Sequence, residues 1–137
     1  MPSQAQTANR IVQRLDPAHV QLLPNHHPRW ANPSNSAGQV PPDSNLEHMT
    51  LVLARSPERE AAFEKLLAEQ QDPASPNFHQ WLTPAEIGNR YGLSDADIDT
   101  VSSWLQSQGM HVNWVAPSRI FIEFGGLAAD VSQAFKT

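Results

Sequence analysis

The sequence predicts an α+β fold of the ferredoxin-like kind: an antiparallel sheet with helices on one face, preceded by an irregular Pro-rich leader and lacking the last strand of that topology. Three observations carry the prediction. Seven of the twelve prolines fall in the first 46 residues, with Asn, Ser and Gln filling most of the spaces between them. From Leu46 onward, period-two and helical apolar patterns replace that texture. Their order is strand, helices, strand, strand, helix, which matches the split βαβ arrangement up to its fourth strand.

The leader, residues 1–45, is read as extended because Pro2, Pro17, Pro24, Pro28, Pro33, Pro41 and Pro42 each fix φ and remove an amide donor. Ile11, Val12 and Leu15, with Val20, Leu22 and Leu23, are expected to pin it to a neighbouring surface. The body, residues 46–137, opens with Met49-Thr50-Leu51-Val52-Leu53, whose alternation points Met49, Leu51 and Leu53 one way and Thr50 and Val52 the other. Ser56 caps a helix that has Pro57 at its first position and Ala62, Phe63, Leu66 and Leu67 on one face. The stretch from Asp72 to Leu82 reads as an ordered turn region, since leaving Phe78, Trp81 and Leu82 wet forgoes roughly 1.5–3 kcal/mol each.

Thr83-Pro84-Ala85-Glu86 is a capping box, and the helix it starts is expected to stop at a left-handed Gly92. Ser94 caps the next helix, with Asp95, Asp97 and Asp99 where the dipole favours negative charge, Ile98, Val101 and Leu105 as the apolar stripe, and Gly109 after it. Two strands follow, Met110 to Val115 and Ile120 to Phe124, joined by the hairpin-length Ala116-Pro117-Ser118-Arg119. After Gly125-Gly126, Leu127, Val131 and Phe135 mark a last helix. Without a fourth strand the first would keep an unpaired edge, so the natural chain is expected to continue past Thr137.

Composition narrows the function. The chain has 137 residues, formal charge −5 and no cysteine. The leader carries +1 and the body −6, which disfavours phosphate-backbone binding and so a nucleic-acid partner. Absence of cysteine excludes disulfides, thiolate metal sites and a Cys nucleophile. No apolar run approaches the ~20 residues of a membrane span, and Met1 to Gln13 lacks the apolar core of a signal peptide.

Candidate chemistry is sparse. Ser, His and Asp are plentiful, but no G-x-S-x-G elbow is present, and no catalytic residue is assigned. Asp95, Asp97 and Asp99 have the D-x-D-x-D spacing of a calcium loop without its glycine or distal Glu, so helix-end charge accounts for them. His26-His27 is not a zinc pair, and neither a metal nor a cofactor is expected in this segment. The six histidines (His19, His26, His27, His48, His79 and His111) do offer an acid response. Protonating all of them takes the formal charge from −5 to +1, around the ordinary histidine value of ~6.5.

Trp81, Trp104, Phe63, Leu66, Leu67, Phe124 and Phe135 are read as core. The sheet face turned away from the helices, with Thr50, Val52, Phe121 and Glu123, is the candidate partner interface. An exposed Phe on a flat sheet is what a docking surface uses, and a one-residue slip in register would invert the assignment.

The run Gln71-Asp72-Pro73-Ala74-Ser75-Pro76-Asn77-Phe78-His79-Gln80-Trp81-Leu82-Thr83-Pro84 resembles the signature of the pro-kumamolisin activation domain, the amino-terminal prosegment of sedolisin-type serine-carboxyl peptidases. Within it, Asp72, Pro73, Phe78, His79, Trp81, Leu82, Thr83 and Pro84 carry the likeness. The frame continues through Met49–Leu53, Ser94 to Ile98, Val101 with Trp104-Leu105, Gly109 to Val112, Arg119 to Ile122, Phe124 to Gly126, Val131 and Ala134 to Thr137. The leader's Asn25-His26-His27-Pro28 is similar to leaders of bacterial members.

The resemblance implies a zymogen segment of a secreted or periplasmic endopeptidase. Such a segment assists folding of a downstream catalytic domain in the same chain, covers its cleft, and is removed autocatalytically in acid. The catalytic Ser, Glu and Asp and the calcium site would all belong to that downstream domain. The rival readings are a free-standing ferredoxin-like inhibitor or regulatory domain, and an inert gene fragment.

Overall fold

The computed structural model describes residues 8–16, 18–24 and 26–137. Pro2, Pro17 and Asn25, and the first seven residues of the polar amino terminus, lie outside the described residues. Among those described, three strands and four α-helices follow in the order β1 (Asn45–Val52), α1 (Pro57–Glu69), α2 (Pro84–Tyr91), α3 (Asp95–Ser107), β2 (His111–Val115), β3 (Phe121–Leu127) and α4 (Ala128–Phe135). The sheet is wholly antiparallel with β3 in the middle, in the order β1-β3-β2. The fold is α+β and of the expected ferredoxin-like kind. β2 and β3 each sit slightly later than their apolar runs suggested, and Gly125-Gly126 belongs to β3.

The helix starts obey their local chemistry. The Ser56 and Ser94 hydroxyls accept the amides of Arg59 and Asp97, and Pro57 and Pro84 occupy first-turn positions where no N–H is needed. At α2 the box is reciprocal: Thr83 Oγ1 accepts the Glu86 amide, and Glu86 accepts the Thr83 amide at 2.7 Å. These bonds hold the Glu86 carboxyl below the usual range. α4 lacks a side-chain cap, and two of its first amides are instead taken by carbonyls at the end of the leader, Ala128 N by Ser44 O and Ala129 N by Pro42 O.

The core lies between one sheet face and the helices. Leu93, Ile98, Leu105, Met110, Ile122 and Phe124 form it, with Met49, Leu51, Val101, Trp104 and Val131 packed at its margin. Trp104 meets Phe135 edge-on at 5.5 Å, so α3 and α4 close over the sheet together. α2 sits against the β2–β3 turn so closely that a Cβ on Gly88 would lie 2.0 Å from Pro117 O. In that turn the Arg119 amide donates to Ala116 O, Arg119 adopts a left-handed φ of 57°, and its guanidinium is pinned by Asp95 at 3.0 Å.

Four expectations are corrected. Gly92 is extended rather than left-handed; glycine is required there because a Cβ would meet Gly88 O and Ser118 O at 2.6 Å. Trp81 is 63% exposed, because the left-handed His79 (φ 55°) turns the segment outward and stacks Phe78, His79 and Trp81 on one another at the surface. Leu67 is also exposed, since α1 packs through Arg59 and Phe63 toward α2, and Phe135, at the end of α4, sets one side of its ring against Trp104 and Phe124 and leaves the rest, 38%, to solvent. In the leader, Val12, Leu15, Val20, Leu22 and Leu23 all stay exposed, and only Ile11 of the six named apolar residues is half-buried.

Candidate partner-docking face

Strand alternation places one side of each strand away from the helices. On β3 the core side is Ile122 and Phe124, leaving Phe121, Glu123 and Gly125 on the other. The register then sets Thr50 directly opposite Glu123 and Val52 directly opposite Phe121. The four residues expected on this face therefore form two adjacent cross-strand pairs, the distance at which side chains act as a unit. Val52 keeps 66% of its surface exposed and Phe121 37%.

Two bulges enlarge this face. In β1, Leu46 pairs with Gly126 and Met49 with Phe124, so Glu47 and His48 together oppose Gly125. In β2, Val112 pairs with Phe124 and Trp114 with Glu123, leaving Asn113 as the extra residue. The Asn113 amide crosses β3 to donate to Glu47 O at 2.7 Å. It can do so because Gly125 has no side chain: a Cβ there would lie 2.8 Å from the His111 ring and 3.0 Å from Glu47 O.

The bulges bring Glu47, His48, His111 and an indole beside Glu123 and the apolar Val52–Phe121 pair. His48 Nδ1 lies 3.0 Å from Glu123 Oε1, and His111 Nε2 lies 3.8 Å from Glu47 Oε2. Asn45 also bonds the Glu47 carboxylate. Trp114 stands next to Glu123 with 53% of its surface exposed. The result is a sheet face with an apolar end at Val52 and Phe121 and a His–Glu end at Gly125, suited to binding a protein surface rather than to bond-breaking chemistry. Among the described residues no three His, Asp or Glu converge in a way that could hold a metal ion. Asp95 is spent on Arg119, and Asp97 is turned into the body.

Glu47, His48, His111 and Trp114 were not singled out for this face from sequence. A bulge breaks the period-two pattern, so the alternation read over Met49 to Leu53 does not carry back to Glu47 and His48. The signature residues lie elsewhere. Asp72 Oδ1 accepts the Ala74 amide and starts the turn after α1, Pro73 follows it, and exposed His79 and Trp81 stack on a half-buried Phe78. Leu82 is half-buried, Thr83 caps α2 and Pro84 is its first residue. The structure does not bring them together with Thr50, Val52, Phe121 and Glu123. No helix among the described residues is long and apolar enough to cross a membrane.

Comparison with known proteins adds the family. The model of the family described as Pro-kumamolisin, activation domain matches residues 32–137. Xanthomonalisin from Xanthomonas sp. (strain T-22) is 33% identical over 76 residues, 56% of this chain and 9% of that protein. Tripeptidyl-peptidase sed1 from Aspergillus fumigatus is 31% identical over 74 residues, 53% of this chain and 12% of that protein. The chain thus spans only a small part of the length of either relative. With the family match running through the whole body and back into the leader, the chain belongs to the pro-kumamolisin activation domain family.

Proposed function

We propose that this chain is the activation prosegment of a secreted sedolisin-type serine endopeptidase, acting as intramolecular chaperone and inhibitor, not as catalyst. The observation that carries the reading is the family match over residues 32–137, joined to a helix-free sheet face with the exposed apolar pair Val52–Phe121. The partner is a catalytic domain downstream in the same chain, which would supply the catalytic residues and any calcium.

Docking would cover Val52, Phe121 and Trp114, and set the carboxylates of Glu47 and Glu123 against basic groups of the enzyme. Acid would act on the same face. Each carboxylate already has a histidine beside it, so protonating His48 and His111 turns two negative charges into two internal ion pairs. The face then loses its net charge, its attraction for a basic partner weakens, and autoproteolysis at low pH makes the release permanent.

The test is titration of the purified segment against a sedolisin-type peptidase freed of its own prosegment, at neutral pH and again in acid. Inhibition that is tight at neutral pH and weakens in acid is expected, with the acid loss reduced in a His48→Gln/His111→Gln variant. A segment that leaves the peptidase uninhibited at neutral pH would overturn the reading.

A further inference from the structure

Asp97 sits in the first turn of α3 and is only 1% exposed. A buried carboxylate persists in the folded state only when its lone pairs are filled. Its partners come from the far end of the chain. Oδ1 accepts the amide of Ile11 at 2.8 Å, and both oxygens accept the amide of Arg10 at 3.0 Å. These contacts join residues 86 and 87 positions apart. The Arg10 guanidinium adds a second attachment, donating to Ala54 O beyond β1 at 2.7 Å. From there the leader runs past the α3–α4 side of the body. Its residues form one wall of a groove of about 1050 Å³ whose other wall is Leu51, Val101, Trp104 and Ala134.

The way this segment is held is unusual for a leader with so many apolar residues. Val12, Leu15 and Val20 stay exposed, so hydrophobic burial contributes little to keeping it in place. The attachment is polar and concentrated on one side chain. We propose that Asp97 is a releasable anchor: ionised, it holds residues 10–16 as a strap along the α3–α4 groove, and protonated, it lets the strap lift and opens the groove. This stands apart from the sheet-face reading, because the strap and Asp97 lie on the helix side.

The charges around the anchor fix the direction of the switch. Burial pushes the Asp97 carboxyl up, but the amides of Ile11 and Arg10, the Ser94 hydroxyl and the Arg10 charge outweigh it and hold the group below the ordinary aspartate range. Arg10 also faces Glu58 at the start of α1, which lies low for its own reasons of helix-end hydrogen bonding. Asp95, two residues before the anchor, is neutralised by Arg119. A depressed value in the docked state means that the anchor is at full strength above about 3.9, and is lost as pH falls through the lower docked value. The strap is therefore closed at neutral and mildly acid pH and opens only in stronger acid.

Hydrogen exchange on the full chain tests this, read as protection of the Arg10 and Ile11 amides against those of β3. At pH 6 the strap amides are expected to be protected, and Asp97→Asn should lower that protection at least tenfold while β3 is unchanged. Ile11→Pro deletes one anchor N–H without touching α3 or its cap, so it reads the anchor even if Asp97→Asn fails to fold. It should free the Arg10 amide to a similar extent. Lowering the wild-type pH stepwise below about 3.9 should release the strap before β3. Unprotected strap amides at pH 6, full protection in the Ile11→Pro variant, or release only together with β3 would each overturn the proposal.

Discussion

Val52→Ala is the sharpest probe of the docking face. Burying a valine fully is worth roughly 1.5–3 kcal/mol, and Val52 keeps 66% of its surface in the free segment. About 1–2 kcal/mol of that remains to be gained only when a partner covers it, and the remaining ~0.5–1 kcal/mol is already invested in the fold. The variant should therefore weaken inhibition of a sedolisin-type peptidase by about 5- to 30-fold at neutral pH. Thermal unfolding of the free segment should change only slightly, because β1 retains its hydrogen-bonded register with β3. The assay is a steady-state inhibition constant for wild type, Val52→Ala and Leu67→Ala, the last an exposed leucine on α1 remote from the sheet face. An unchanged constant for Val52→Ala beside a weakened one for Leu67→Ala would refute the assignment of the face and move the contact to the helices.

Two further predictions concern the scaffold. Ile122 is fully buried at the centre of the sheet, so Ile122→Ala should lower unfolding free energy in urea by about 2–5 kcal/mol, and a loss under ~1 kcal/mol would contradict the core described here. The Glu86 carboxyl is held low by the Thr83 amide and hydroxyl, so its stabilisation is present above the ordinary glutamate value of about 4.3 and disappears as pH falls through the lower folded value. Thermal midpoints measured from pH 6 to pH 3 should accordingly fall less steeply in Glu86→Gln than in wild type.

Much of this arrangement can be read from the residues. Ser56-Pro57, Thr83-Pro84 with Glu86, and Ser94 announce three helix starts because capping is local chemistry, and all three form as expected. The alternation Met49 to Leu53 placed Thr50 and Val52 on the outer side, and the register keeps them there. What stayed hidden depends on non-local geometry. Glu47-His48 and Asn113-Trp114 reach the face only through bulges. The exposure of Trp81 follows from one left-handed residue, His79, that no local pattern announces. The anchor at Asp97 was legible only as helix-end charge, because its partners are backbone amides, which every sequence supplies and none advertises.

The position of β3 in the sheet has a consequence for how the molecule is born. Among the described residues both neighbours pair only with this strand, and β1 waits for a partner some 75 residues later, as in the contact of His48 with Glu123. While the ribosome is still delivering the helices, β1 therefore has nothing to zip against. The sheet assembles in one late event once Phe121–Leu127 emerges. So non-local a closure makes the segment a comparatively slow folder for its size, with its apolar first strand unshielded in the meantime.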